Sequence, residues 1–216
     1  MQKGILLQAQ LAIFFSTSIE RPDKLAYKLL DNIEELFDIV PAISPYPLFQ
    51  QHLTQSIVNI QGNGFNISIN SERMDLFYNR NINTDIDIKN SFIILASKII
   101  KWISTYDLNR IGINWLTFFE GCDADAYIKS KFLKDKINIG KELQIKMNMV
   151  GKYKNREINN IKNIYWGAIQ KDTKYMQGMF YHQDINTVIS PKPLSQEYIT
   201  IFFDNYISAL ENDAEI

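Results

Sequence analysis

Apolar residues alternate along Ile5, Leu7, Ala9, Leu11, Ile13 and Phe15, a period of two that predicts a first strand. Arg21-Pro22-Asp23 then opens a helix, since proline suits the first turn, where its missing N–H has no partner to lose. Leu25, Leu29, Ile33, Leu36 and Phe37 make that helix's apolar stripe. The segment from Val40 to Pro47 carries Pro41, Pro45 and Pro47 and reads as an irregular crossover. Strands are expected over 54–61 and 64–79, joined by Gly62-Asn63-Gly64, residues tolerant of the positive φ that a tight hairpin needs. In the second of these, Phe65, Ile67 and Ile69 alternate with Asn66, Ser68 and Asn70, so one of its faces is wet.

A helix over 87–106 has the strongest periodicity, with Phe92, Leu95, Ala96, Ile99, Trp102, Ile103 and Tyr106 on one stripe. A strand follows from Arg110 to Phe119, then a short helix for which Asp123 is the expected N-cap. Three strands near 142–153, 158–171 and 174–184 form a meander, turning at Tyr153-Lys154-Asn155-Arg156 and at Lys171-Asp172-Thr173-Lys174. A last helix over 194–210 presents Leu194, Tyr198, Ile201, Phe202 and Ala209. The order β-α-β-β-α then β-α-β-β-β-α predicts an α+β fold, an antiparallel sheet with helices packed on one face. Helices recur at an offset of about 100 residues (22 and 123, 87 and 194). That offset fits either internal duplication of halves 1–107 and 108–216 or chance alternation. No linker interrupts the chain, so residues 1–216 are expected to form a single domain.

Three stretches together carry a resemblance: the alternating strand ending Arg73-Met74-Asp75-Leu76-Phe77-Tyr78-Asn79, the long helix, and Asn109-Arg110-Ile111-Gly112-Ile113-Asn114. They resemble a sporadically distributed family of uncharacterised bacterial α+β proteins. The likeness covers about the first 120 residues, and Trp115 and Leu116 depart from its pattern. It implies a fold and assigns no activity to any position. A usage of 34 isoleucines and 20 asparagines also fits AT-rich coding and a bacterial or mobile-element source.

The composition, 46% hydrophobic and 22% charged with a net charge of −1, is that of a globular chain and excludes a disordered one. One cysteine, Cys122, excludes an internal disulfide framework and a cysteine-rich zinc site. No apolar run reaches the ~18–20 residues that span a bilayer, and the N-terminal residues follow no signal-peptide plan. The expected setting is cytoplasmic, with no membrane partner.

Phosphate-binding glycine loops and the Gly-x-Ser-x-Gly elbow are absent from the sequence. Histidine is limited to His52 and His182. A Cys122/His182 nucleophile pair oriented by Asp184 is conceivable chemistry, provided the fold brings the two together. Glu120, Asp123 and Asp125, and Asp85 and Asp87, are candidate cation ligands, but both groups also sit where helices start and acidic caps belong. No catalytic residue, metal site or cofactor is therefore assigned.

Charge is the one feature that points to a use. Residues 129–174 carry +8 and the rest of the chain −9. Tyr153, Tyr165, Trp166 and Tyr175 lie among these bases. Lys146, Lys152, Tyr153, Lys154, Arg156, Lys162, Lys171 and Lys174 are the candidate partner-binding residues. The expected function is a non-enzymatic interaction protein that engages a protein partner, or itself as a homo-oligomer, through segregated charges. Nucleic-acid binding by the same basic segment is the alternative, and a merely solvated lysine-rich surface is the plain reading. Met147, Met149, Met176, Met179, Phe180 and Trp166 could also line an apolar ligand pocket, although methionines at strand spacing usually belong to a core.

Overall fold

A computed structural model describes residues 4–33, 42–46, 57–62, 64–81, 89–133 and 143–212. Among these described residues, nine strands and four helices follow in chain order. They are β1 (Ile5–Phe15), α1 (Pro22–Ile33), β2 (Ala42–Tyr46), β3 (Ile57–Gly62), β4 (Phe65–Ile69), β5 (Arg73–Asn79) and α2 (Lys89–Ile103). The second half adds β6 (Leu108–Glu120), α3 (Ala124–Phe132), β7 (Ile145–Tyr153), β8 (Arg156–Lys171), β9 (Lys174–Thr187) and α4 (Gln196–Asn212). All the strands join one sheet in the order β2-β3-β4-β5-β1-β6-β9-β8-β7, and every pairing is antiparallel. The fold is α+β, as the alternation predicts.

Two expectations need correction. The single strand expected over 64–79 is two strands. Asn70 folds its side chain back so that Oδ1 accepts from the backbone N–H groups of Glu72 and Arg73, both at 2.8 Å, and this local turn separates β4 from β5. The proline-bearing segment expected to be irregular contains β2, which lies at the sheet edge, the place in a sheet where Pro45, having no N–H to donate, is tolerated. Leu36, Phe37, Asn63, Asp85, Asp87, His52, Lys134, Lys136 and Lys141 lie outside the described residues.

The sheet's register sorts its side chains. Ala9, Leu11 and Ile13 of β1 stand beside Trp115, Ile113 and Ile111 of β6, and Leu11 beside Leu76 of β5. These belong to one core that includes Leu25 and Leu29 of α1, Phe92, Ala96 and Ile99 of α2, and Ile199, Phe202 and Phe203 of α4. At the far end of the same face, Ala124 and Ile128 of α3 pack on Phe119, Ile164, Met179 and Tyr181. Met179, Tyr181 and Ile185 alternate on β9, so all four helices lie on one side of the sheet. No described helix lies on the other.

Read outwards from the central β1–β6 pair, the first half runs β1, β5, β4, β3, β2 and the second β6, β9, β8, β7. Each half therefore sends its first strand to the centre and its last strand beside it, then meanders to the edge. The one difference is β2, which has no described counterpart outside β7.

Candidate functional site, the helix-free face of the sheet

The alternate positions of the central strands face away from the helices. In neighbouring rows these are Asp75–Ala12–Gly112–Asn186–Asn159, Phe77–Gln10–Asn114–Asp184–Ile161 and Arg73–Phe14–Arg110. Polar side chains on an uncovered face are what a two-layer α+β fold requires, but here they also bind each other. Gln10 donates to Asp75 Oδ1 at 2.8 Å, and Asn114 donates to Gln10 Oε1 at 2.5 Å. Arg73 holds Asp75 Oδ1 through Nη2 at 2.6 Å. On the other side of the centre, Asn186 Oδ1 accepts from Arg110 at 3.0 Å and from Asn159 at 3.2 Å, while Asn186 donates to Asp184 at 3.0 Å.

Two hydrogen-bonded clusters result, one across β5, β1 and β6 and one across β6, β9 and β8, and their anchors are closed off, Asp75 being 9% and Asn186 4% exposed. Phe14 lies between two guanidiniums, with Arg73 4.7 Å and Arg110 5.0 Å from its ring centre. Phe77, Leu116 and Tyr165 are half-buried among these groups. Gly112 keeps the centre low, because a Cβ there would stand 3.0 Å from that of Asn186. Towards one end, Phe180 stacks on Tyr165 at 5.0 Å and meets Phe118 at 5.1 Å.

The basic residues picked out by the sequence do not form one patch. β8 runs 16 residues from Arg156 to Lys171, a span of about 50 Å. The turn at Lys154 and Asn155 thus lies at the opposite end from Lys171 and Lys174. Strand alternation divides the rest. Lys146 and Lys152 are on the helix-free face, opposite Asn163 and Glu157. Tyr153, Arg156 and Lys162 turn to the helix side, where Lys162 lies 5.7 Å from the Tyr181 ring.

Three of these residues dock the β7–β8 hairpin on α4. Tyr153 lies edge-on to Tyr198, Phe202 and Tyr206 and accepts a hydrogen bond from Asn205. Arg156 lies over Tyr198 at 5.4 Å and donates to the Pro193 carbonyl at 3.1 Å. Lys154 pairs with Glu197 at 3.3 Å. Burial in this cluster pushes the Tyr198 phenol up to about 12.

The nucleophile pair does not assemble. Cys122 packs under α3 with Phe119 and Ile128, whereas His182, opposite Leu116 and Asn163, is on the other face. Burial raises the Cys122 thiol, the reverse of what an activated thiolate needs. Burial also lowers His182, opposed by Asp184 and assisted by Lys146.

Beside Cys122 an open cleft of about 670 Å³ is lined by Gly121, Asp123, Asp125, Lys129, Trp166 and Gln177. Its carboxylates serve the backbone. Asp123 caps α3 by accepting from Ala126 at 3.1 Å, as its position predicts, and Asp125 accepts from Leu143 at 2.7 Å. Among the described residues no group of His, Cys, Asp and Glu side chains is placed to hold a metal ion. The methionines do not line a common pocket either, since Met179 is core and Met149 is 46% exposed. No described helix is long and apolar enough to cross a membrane.

Sequence reasoning missed these clusters because their cross-strand bonds join residues 27 to 104 positions apart. The available signal was polar alternation within strands, in Gln8 and Gln10, Asp184 and Asn186, and Asn159 and Asn163. No protein-family model matches the chain, and no curated protein matches it.

Proposed function

We propose that this chain is a non-catalytic interaction protein of the cytoplasm that holds a protein partner on the helix-free face of its sheet. The observation that carries the reading is the pair of hydrogen-bonded clusters, one across β5, β1 and β6 and one across β6, β9 and β8, with half-buried apolar side chains set among them. A protein interface combines apolar anchors with satisfied polar groups, and groups already held in place lose little entropy on association. The face mixes signs, with Arg73, Arg110, Lys146 and Lys152 beside Asp75, Asp184, Glu157 and Glu120. Such a surface suits another protein better than a phosphate backbone, which favours unbroken positive charge. The division of the basic segment over two faces and two distant turns weighs against nucleic acid in the same way.

The test is comparative purification from the native cell after nuclease digestion. The bait is the wild-type chain, Leu116→Glu on the helix-free face, or Lys101→Glu on exposed α2, each checked for fold by circular dichroism. A partner kept by wild type and Lys101→Glu but lost by Leu116→Glu supports the reading. Partners indifferent to Leu116→Glu, or binding that nuclease removes, would overturn it.

A further inference from the structure

The two edges of the sheet are not alike. β3 is covered by β2, whereas β7, its counterpart in the second half, has no described strand on its outer side. An edge strand of nine residues presents alternate N–H and C=O groups outward, ready to pair. Its side chains add to this. Val150 is 64% exposed on the helix-free face and Met149 46% exposed on the other, so the middle of the edge is apolar on both sides. Lys146 and Lys152 stand exposed on the face of Val150, and neither forms an ion pair with a described residue.

We infer that β7 receives an extended acidic segment of a partner protein as an added strand. Its backbone would complete the edge as β2 completes β3. Its carboxylates would meet Lys146 and Lys152, six residues apart on one face, and its apolar side chains would cover Met147 and Met149. A second copy of β7 is a poorer occupant. The antiparallel register that pairs all nine residues sets Lys146 opposite Lys152 twice, and like charges directly opposite are destabilising. The lysines thus exclude the chain's own edge and select an acidic one.

This inference goes beyond the helix-free face and does not need it. The test uses the full chain and a fluorescein-labelled nine-residue peptide with glutamate at its second and eighth positions and valine, isoleucine and threonine between them. Anisotropy should report binding that Lys146→Glu with Lys152→Glu weakens about tenfold or more, and a lysine-for-glutamate peptide should bind that variant in its place. Peptides N-methylated on alternate amides separate strand addition from charge attraction alone. Because only every other N–H of an added strand faces the edge, one methylated set should lose binding and the other keep it. Leu116→Glu should leave peptide binding unchanged, so failure here and failure of the helix-free face are distinguishable. Absence of binding, equal binding by both methylated sets, or indifference to the lysine reversal would each overturn the inference.

Discussion

The sequence places Tyr153 among the candidate partner-binding residues, and the structure uses it to fasten a hairpin. Replacing it with alanine removes three edge-on ring contacts, to Tyr198 at 5.9 Å, Phe202 at 6.5 Å and Tyr206 at 6.0 Å, together with the bond from Asn205. Aromatic pairs contribute roughly 0.5–1.5 kcal/mol each beyond area, and a fully buried aromatic truncated to alanine costs about 3–5 kcal/mol. Tyr153 is only half-buried, so a cost of about 2–3 kcal/mol is expected. For a chain of this length that lowers Tm by about 5–10 °C. Urea unfolding followed by circular dichroism gives the free energy directly. A double-mutant cycle with Phe202→Ala should return a coupling of about 1 kcal/mol, as expected for residues in contact. Lys154→Glu in the same turn should change stability by less than about 1 kcal/mol, since its pair with Glu197 is solvent-exposed. A Tyr153→Ala cost within about 0.5 kcal/mol of zero, the range of ordinary surface substitutions, would refute the docking of the hairpin on α4.

Gly178→Ala should destabilise by about 3 kcal/mol or more, because its Cβ would fall 2.1 Å from the Phe119 carbonyl oxygen, a backbone atom that cannot swing aside; urea midpoints near wild type would contradict this. His182→Gln should flatten the acid limb of the stability profile. The folded pKa lies below the unfolded one, so the unfolded chain takes the proton first and stability falls as pH drops through about 6.5. Denaturant midpoints of wild type and variant measured from pH 8 to 5 would run parallel if burial did not lower this group. Tyr198→Phe should act at the other limb. With the folded phenol pushed up to about 12, wild type loses stability as pH rises above about 10, and absorbance titration should show one late-ionising tyrosine fewer in the variant.

Much of the fold is written in local pattern. The alternation of β1, the stripe of α2, the two-residue turn at Lys154 and Asn155 with positive φ, and the Asp123 cap all depend on neighbours within a turn or a hairpin. What escaped depends on a single side chain or on register. The break between β4 and β5 rests on the Asn70 side chain bonding the nearby backbone, and its trace in the sequence is a switch of the apolar positions from odd (Phe65, Ile67, Ile69) to even (Met74, Leu76, Tyr78). The site depends on register alone. Lys152, Tyr153 and Lys154 are consecutive, yet one faces the open side, the next packs on α4 and the third closes a turn. Charge counted along a chain overstates a patch whenever the charges lie on strands, because each step of one residue changes face.

The same geometry explains how a wide sheet can leave one face without helices and still remain a specific surface. An apolar face of that size would invite collapse or aggregation, and an unorganised polar one would be costly to order on binding. Here the donors and acceptors of Gln10, Asp75, Asn114 and Asn186 are matched across strands before any partner arrives, and Phe14 is held between two guanidiniums. On the proposed reading the edge solves its problem differently, through Lys146 and Lys152, which would guard β7 against its own copy, while no described strand covers its outer side. Face and edge thus call for different partners' chemistry, matched hydrogen bonding with apolar anchors on one and an acidic extended strand on the other. Since Lys146 and Lys152 stand on the helix-free side, a strand added at β7 would lengthen that face by one row, so one partner could occupy both in sequence, entering along the edge and closing over the sheet.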